Sequence, residues 1–188
     1  MSWGKIEVIY GCMFSGKSDE LVRRLERARY GKYNVVGFKP IIDQRYGDKI
    51  TTHSKKEFSP TYMIGSTQDM SQIITTEEII GVDEVQFLDD HFLDFAQDLR
   101  ANGKTVICAG LLTDYTGRPF NFKKSDKTML DLIILADNVQ MVTAICTYEK
   151  CRKEANMTQR LVSGQDQVLV GGAESYIARC PEHHSIPK

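Results

Sequence analysis

The sequence lacks a long hydrophobic run and an excess of charge of either sign. Its longest apolar stretch, residues 106–112, is far shorter than the ~20 residues needed to cross a bilayer. The first residues, Met-Ser-Trp-Gly-Lys, also lack the apolar segment of a signal peptide. With 24 Lys and Arg against 25 Asp and Glu, a general basic surface for nucleic acid or anionic membrane is disfavoured. We therefore expect a cytoplasmic protein with neither a membrane nor a nucleic acid as its partner.

Cysteine is scarce: the chain has five, an odd number, and three of them lie in its last quarter. Four residues separate Cys146 from Cys151, and two separate Cys180 from His183. Such pairs are typical of a structural zinc site, which takes four thiolate or imidazole ligands in a closed tetrahedron. His184 could replace His183 as the fourth ligand. The alternative is a set of buried thiols and surface histidines with no metal.

Apolar patterns of strand and helix alternate along most of the 188 residues. This alternation predicts an α/β fold, a mostly parallel sheet flanked by helices. From Cys146 onward the pattern breaks into short elements, so we expect a P-loop domain over 1–145 and a small C-terminal subdomain over 146–188. The predicted strands are 5–10, 35–38, 79–82, 105–109 and 140–144, the predicted helices are 18–30, 91–101 and 126–136, and 40–60 is expected to be a mobile loop.

A phosphate-binding loop lies between the first predicted strand and helix, where the sequence reads G-C-M-F-S-G-K-S. Backbone amides and the helix N-terminus would face the phosphates of a nucleoside triphosphate. Lys17 would reach the β- and γ-phosphates, and the Ser18 hydroxyl would bind Mg²⁺. The alternative is a glycine turn followed by a helix that its first-turn serine caps. The predicted nucleotide-binding residues of the loop are Gly11, Cys12, Met13, Phe14, Ser15, Gly16, Lys17 and Ser18.

Two acidic residues, Asp83 and Glu84, end a short apolar strand. In P-loop folds an aspartate at this position holds Mg²⁺, directly or through water. Glu84 could then accept a proton from an attacking hydroxyl group or from water. These residues alone do not separate a kinase from an ATPase, and an exposed acidic turn is the structural alternative.

Several motifs in the same order resemble the type II, cytosolic-type thymidine kinase family over nearly the whole chain. The phosphate loop is similar to the family's G-P-M-F-S-G-K-S/T. Residues 38–46 resemble its F-K-P-x-x-D-x-R-Y stretch, and His53 lies at the position of the family's later Ser-His. Residues 83–87 resemble D-E-x-Q-F. Residues 110–120 resemble its G-L-D…P-F loop, and residues 158–160 and 171–180 resemble its C-terminal motifs.

The resemblance implies a RecA-like P-loop fold with a small C-terminal zinc-binding lasso subdomain. It implies transfer of the γ-phosphate of ATP to the 5′-hydroxyl of thymidine, and of deoxyuridine too, in pyrimidine salvage, with Glu84 as general base. ATP, Mg²⁺ and structural Zn²⁺ would be the cofactors. It further implies a homotetramer and feedback inhibition by thymidine triphosphate.

The same resemblance implies which residues bind nucleotide and nucleoside. On the nucleotide side, the resemblance adds four binding residues to those of the phosphate-binding loop: Asp43, Arg45, Asp83 and Gln86. Arg45 would neutralise charge as the phosphate transfers. The segment 167–171, hereafter the lasso, would contact the base through its backbone. The thymidine pocket would be lined by Met13, Phe87, Leu111, Tyr115, Phe120, Thr158, Gln167, Val168, Leu169, Val170, Gly171 and Tyr176, and the zinc ligands would be Cys146, Cys151, Cys180 and His183.

Three positions depart from the family pattern. Cys12 stands where the family usually has proline. Four residues separate Cys146 from Cys151, where the family usually has two between the first pair of zinc ligands. Gln167 is polar where an apolar residue is expected. A competing interpretation is a RecA-like ATPase or nucleic-acid-binding module with a zinc knuckle, in which Glu84 activates water. An inactive nucleotide-dependent scaffold is a third interpretation, which the intact loop and acidic pair do not favour.

Overall fold

The structure, a computed structural model, describes residues 3–43, 49–51, 56–164 and 166–186. The helices are α1 (Lys17–Tyr30), α2 (Thr67–Ile73), α3 (His91–Ala101) and α4 (Met129–Leu135), and Val85–Phe87 forms one 3-10 turn. The strands are β1 (Lys5–Tyr10), β2 (Val35–Pro40), β3 (Ile50–Thr51), β4 (Glu57–Phe58), β5 (Thr61–Ile64), β6 (Ile79–Val82), β7 (Thr105–Gly110), β8 (Asn138–Met141), β9 (Ala144–Ile145), β10 (Glu154–Ala155), β11 (Met157–Arg160) and β12 (Tyr176–Arg179).

A six-stranded sheet in the order β5-β2-β6-β7-β1-β8 forms the centre of the fold. Every pairing in it is parallel, with Val8 of β1 opposite Cys108 of β7 and Val139 of β8. The parallel arrangement confirms the predicted α/β class. Because all six strands run the same way, the loops after them gather at one edge, where ligands bind in such sheets.

Apolar side chains cover both faces of this sheet, as expected for interior parallel strands. On one face, Leu21 and Leu25 of α1 pack with Ile9, Ile107 and other buried residues of one cluster. On the other face, residues of α2, α3 and α4 form the larger cluster with alternate residues of the strands. Cys108 belongs to that larger cluster and is fully buried.

Element boundaries differ from the predictions mainly at the edges of the sheet. The last predicted strand, 140–144, is shifted to Asn138–Met141, and the predicted helix 126–136 shortens to Met129–Leu135 because Thr128 caps its start. The pattern also missed the edge strand Thr61–Ile64 and helix α2, whose capping box joins Ser66 and Asp69. Both are too short for a clear periodic signal. The described parts of the expected 40–60 loop include the β3–β4 pair.

The C-terminal segment contains short two-stranded sheets, β10 with β9 and β11 with β12, and no helix among its described residues. This agrees with the predicted change of pattern after Cys146, while the domain division at that point stays a prediction. Across the described parts of the chain, no helix combines the length and apolar character needed to span a membrane.

Candidate active site

The phosphate-binding loop joins β1 to α1 at the carboxyl edge of the sheet. Gly16 has a φ of 83° and precedes the first residue of α1, a left-handed conformation that glycine adopts without strain. Within the loop, Lys17 Nζ and Ser15 Oγ donate hydrogen bonds to the Cys12 carbonyl at 2.9 Å and 2.8 Å. The ammonium group and the positive end of the helix are thus placed to meet an anion.

Ser18 and Asp83 form the best candidate for a magnesium site. Ser18 Oγ donates to the Asp83 carboxylate at 2.9 Å and 3.1 Å from its two oxygens. Burial, together with the neighbouring Glu84 carboxylate, raises the pKa of Asp83 to about 7. A hydroxyl and a buried carboxylate are hard oxygen ligands that suit Mg²⁺, and the ion's charge would keep Asp83 ionised.

Glu84 follows in a strained backbone conformation, with φ 49° and ψ 42°. Such left-handed geometry is uncommon for a residue with a side chain and is often found at functional sites. Gln86 Nε2 donates to Glu84 Oε2 at 2.7 Å, while Gln86 Oε1 accepts from the Leu111 amide at 3.1 Å. Gln86 therefore fixes the Glu84 carboxylate relative to the loop that follows β7.

A cavity of about 600 Å³, including solvent at its mouth, surrounds the phosphate-binding loop. A second ammonium group reaches it: Lys39 is buried and forms an ion pair with Asp43 at 3.3 Å. We call this the phosphate cavity. Its lining residues are Met13, Phe14, Gly16, Lys17, Ser18, Asp19, Lys39, Asp43, Thr51, Asp83 and Glu84.

A second cavity of about 510 Å³, also counted with the solvent at its mouth, lies beside the first and is mostly apolar. We call it the nucleoside cavity, after the ligand that the sequence resemblance implies. Phe87 and Phe120 meet edge to face in its wall, with ring centroids 5.7 Å apart. The remaining lining residues are Met13, Asp43, Glu84, Leu111, Thr113, Asp114, Tyr115, Thr158, Gln167, Val168, Leu169, Val170, Gly171 and Tyr176.

The two cavities meet at a common wall formed by Met13, Asp43 and Glu84, which line both. A group bound in the nucleoside cavity can therefore face a phosphate in the other cavity at this wall. The C-terminal segment also contacts this wall, because the Met13 amide donates a hydrogen bond to Thr158 Oγ1 at 3.0 Å. The arrangement permits phosphate transfer between two bound molecules with the Glu84 carboxylate between them.

The predicted zinc ligands come together at the C-terminal end of the chain. One ligand atom each from Cys146, Cys151, Cys180 and His183 lies within 4.8 Å of the others. A tetrahedral zinc with bonds of about 2.3 Å needs ligand atoms roughly 3.8 Å apart, so the cluster fits structural zinc. His183 Nδ1 lies 3.2 Å and 3.7 Å from the sulfurs of Cys180 and Cys146. The His183 ring stacks on Tyr148, which lies between Cys146 and Cys151 in the sequence.

His184 lies outside the cysteine cluster. Its Nε2 is 3.0 Å from the Tyr115 carbonyl and 3.3 Å from the Thr158 carbonyl. Both of these residues line the nucleoside cavity. The geometry therefore favours His183 over His184 as the metal ligand and gives His184 a place behind the nucleoside cavity.

Some predicted nucleotide-binding residues lie behind the cavity surface. Gly11, Cys12, Ser15 and Gln86 are not among the lining residues of the phosphate cavity. Gly11 is closely packed, since a Cβ there would come within 2.1 Å of the Val142 carbonyl oxygen. Arg45 and His53 lie outside the described residues.

Sequence reasoning missed five polar residues of the site. Asp19, Lys39 and Thr51 line the phosphate cavity, and Thr113 and Asp114 line the nucleoside cavity. A lysine inside an otherwise apolar strand was a usable signal, because a buried ammonium group needs an anionic partner. Asp114 gave a weaker signal, since an aspartate before Tyr-Thr-Gly also suits an ordinary turn.

The parallel sheet, the loop around Lys17 and the acidic pair at the end of β6 define a P-loop protein built for phosphate transfer. The adjoining nucleoside cavity indicates a transferase with a bound acceptor. A sequence model of the family described as thymidine kinase matches residues 4–184, nearly the whole chain. The chain belongs to the thymidine kinase family, whose members are phosphotransferases that use ATP to phosphorylate thymidine. This favours the kinase over the ATPase and nucleic-acid-binding interpretations.

Proposed function

We propose that the chain transfers the γ-phosphate of ATP to the 5′-hydroxyl of thymidine at the wall between the two cavities, with Glu84 as the general base. The supporting observation is that Glu84 lines both cavities and is held by Gln86. A base must lie within hydrogen-bond reach of the proton that it removes. A hydroxyl group at this wall would meet that condition while facing the γ-phosphate.

On the nucleotide side, the phosphates would be bound by the amides of the loop and by Lys17, with Lys39 as a second buried cation. Ser18 and Asp83 would hold Mg²⁺. When bound, the ion would neutralise charge on the β- and γ-phosphates and orient them toward the acceptor. Arg45, as the resemblance implies, would add charge stabilisation, which stays a prediction.

On the acceptor side, aromatic and aliphatic side chains would enclose the base while the lasso reads its polar edge. The edge-to-face pair of Phe87 and Phe120, with Tyr115 and Tyr176, supplies rings suited to base stacking. A cavity of this kind accepts the 5-methyl group of thymine without requiring it. We therefore propose deoxyuridine as a second substrate.

The test of the proposed base is Glu84→Gln, which keeps the size and polarity of the side chain but not its charge. We expect ~100-fold or greater loss of kcat, the usual scale for a general base, with ATP binding retained. Glu26→Gln, a matched change at an exposed ion pair with Arg29, should leave kcat unchanged. Full activity of Glu84→Gln would overturn the assignment.

Further properties follow as proposals from the same family. A homotetramer is supported by exposed apolar side chains at the edge strand β8, where Val139 and Met141 are 42% and 48% exposed. Feedback inhibition by thymidine triphosphate is supported by the adjoining cavities, since one molecule could fill both. We also propose a cytoplasmic location, supported by five cysteines that form no disulfide. A role in pyrimidine salvage follows from the proposed phosphorylation of thymidine.

A further inference from the structure

The lasso forms no strand or helix, so its backbone needs other partners. Three side chains supply them to the lasso and to the residues just before it. Tyr115 OH donates to the Gly164 carbonyl at 3.0 Å, and Tyr176 OH donates to the Leu169 carbonyl at 2.8 Å. The third is Arg160, the last residue of β11.

Arg160 places a fully buried guanidinium beneath the start of the lasso. Its Nη1 donates to the Asp166 carbonyl at 2.8 Å, and its Nη2 donates to the Gln167 carbonyl at 3.3 Å. Nη2 also donates to Tyr176 OH at 3.1 Å. One fork of donors thus binds the carbonyl just before the lasso, the first carbonyl of the lasso and the tyrosine that holds the Leu169 carbonyl.

The buried charge of Arg160 is stabilised by dipoles and by an aromatic ring. Among the residues that the structure describes, no carboxylate lies within ion-pair distance of this guanidinium. Its partners are two carbonyl groups, the Tyr176 hydroxyl and the face of the Tyr115 ring, whose centroid is 3.9 Å from the guanidinium carbon. Burying a charge is costly unless polar partners surround it. Two of these partners are the Asp166 and Gln167 carbonyls, so the guanidinium would lose them if the lasso moved away.

Gln167, the first residue of the lasso, forms hydrogen bonds with the loop that follows β7. Its Nε2 lies 3.0 Å from Asp114 Oδ2, 3.3 Å from the Pro119 carbonyl and 3.4 Å from Asn121 Oδ1. Its Oε1 accepts from the Asn121 amide at 3.3 Å. These contacts account for the polar residue at a position expected to be apolar. They join the lasso to the loop that follows β7.

We propose that Arg160 and Gln167 are positioning residues that together hold the lasso closed over the nucleoside cavity and so set the affinity for thymidine. The proposal rests on the assignment of the lasso to nucleoside binding. Arg160 does not line either cavity, so it acts through the lasso carbonyls and through Tyr115 and Tyr176. Neither residue contacts the phosphate cavity, so binding of ATP should be independent of both.

The test compares Gln167→Leu and Arg160→Lys with the wild-type enzyme in steady-state kinetics. Gln167→Leu keeps the side chain's size but removes its polar contacts, and Arg160→Lys keeps the charge but removes the fork of donors. We expect the KM for thymidine to rise ~10-fold in each, as loss of one or two partly buried hydrogen bonds implies. The kcat and the KM for ATP should stay within about twofold of wild type.

Matched controls make the same changes elsewhere in the C-terminal subdomain. Gln159→Leu removes a side chain that accepts from the Ser185 amide, and Arg179→Lys removes a bond to Thr147 Oγ1. Neither residue lines the nucleoside cavity, so both controls should keep the wild-type KM for thymidine. Hydrogen exchange of the lasso amides, with zinc content, should show faster exchange in the two test variants at full zinc occupancy.

A thymidine KM within twofold of wild type in Gln167→Leu would overturn the proposal, as would equal rises in the KM for thymidine and ATP. If Arg160→Lys fails to fold, Gln167→Leu decides alone. A wild-type enzyme that does not phosphorylate thymidine would instead contradict the proposed function. Active wild type with unaltered variants would contradict only the role of these two residues.

Discussion

Cys12 shows how the surroundings of one side chain decide its chemistry. It lies in the phosphate-binding loop, yet it is only 3% exposed and its sulfur donates to the Ala155 carbonyl at 3.2 Å. It packs with Cys146 and Cys180 of the zinc cluster. Burial raises its thiol pKa, so little thiolate is present at neutral pH. The side chain joins the loop to the C-terminal subdomain instead of facing the nucleotide.

We therefore predict that Cys12 resists alkylation in the folded, zinc-loaded enzyme. Iodoacetamide treatment followed by peptide mass mapping should find Cys12 and the equally buried Cys108 unmodified. The same treatment after denaturation and metal chelation should modify both. Rapid labelling of Cys12 in the native enzyme would show that its thiol is accessible and would contradict the packing described here.

At the residue scale, the sequence predicted those parts of the site that one local motif defines. Lys17 and Ser18 belong to the phosphate-binding loop, and Asp83 and Glu84 follow a strand directly. Lys39 and Asp114 were missed because their roles depend on burial and on neighbours distant in the chain. Contacts of that kind appear only when the fold is known.

At the scale of elements, α1 is tied to the sheet by a partly buried network of charged side chains. Arg24 donates to Glu20 within the helix, to Glu7 of β1 and to Gln140 of β8. Arg23 donates to both oxygens of Glu20 and, together with Arg24, lowers the pKa of Glu20 to about 2. The ionised carboxylate therefore contributes to stability.

We predict that Glu20→Gln lowers the free energy of unfolding by ~1–2 kcal/mol at pH 7. Because the folded-state pKa lies below the ordinary glutamate value of 4.5, this contribution is complete above pH 4.5 and is lost as the pH falls toward 2. Urea unfolding at pH 7 and pH 3 should show less than half of the effect at pH 3. A difference that is independent of pH would contradict the role of the charge.

The two adjacent histidines provide a matched test of the zinc site. His183→Ala removes a predicted ligand and should release zinc, loosening the C-terminal subdomain more than the parallel sheet. His184→Ala should retain zinc, since its ring lies against the Tyr115 and Thr158 carbonyls. Metal analysis with limited proteolysis measures both effects. Equal zinc content in the two variants would refute the ligand assignment.

Interior elements were predicted better than peripheral ones, for a physical reason. The strand β1 and the helix α3 match their predicted bounds because each has strong apolar periodicity. The edge strand β5 and the displaced β8 carry partly exposed side chains, so their sequences show no clear alternation. The stacking of Tyr148 on His183 likewise depends on the folded zinc turn.

At the scale of the whole molecule, the site is assembled from segments far apart in the chain. Loops after four parallel strands supply Met13, Asp43, Glu84 and Leu111 to the nucleoside cavity, and the C-terminal subdomain closes it. The motif order and the family resemblance predicted which segments meet. They could not predict that Arg160 holds the lasso, because that arrangement depends on burial of the guanidinium.

Assembly is testable at the exposed edge of the sheet. Met141→Glu places a charge on the edge strand β8, where a second copy could pair or pack. We predict a smaller assembly by analytical ultracentrifugation, with the cavities unaffected because Met141 lines neither. Glu154→Lys, a charge change at an exposed position of β10, serves as control. An unchanged sedimentation coefficient in Met141→Glu would exclude this edge as the interface.

The most direct test of the central claim is transfer of labelled γ-phosphate from ATP to individual nucleosides. The panel contains thymidine, deoxyuridine, deoxycytidine, deoxyadenosine and deoxyguanosine, with a reaction lacking acceptor as the control for hydrolysis. The account predicts label on thymidine and deoxyuridine, none on the purine nucleosides, and little free phosphate without acceptor. Phosphate release without any labelled nucleoside, from protein shown to contain its zinc, would contradict it.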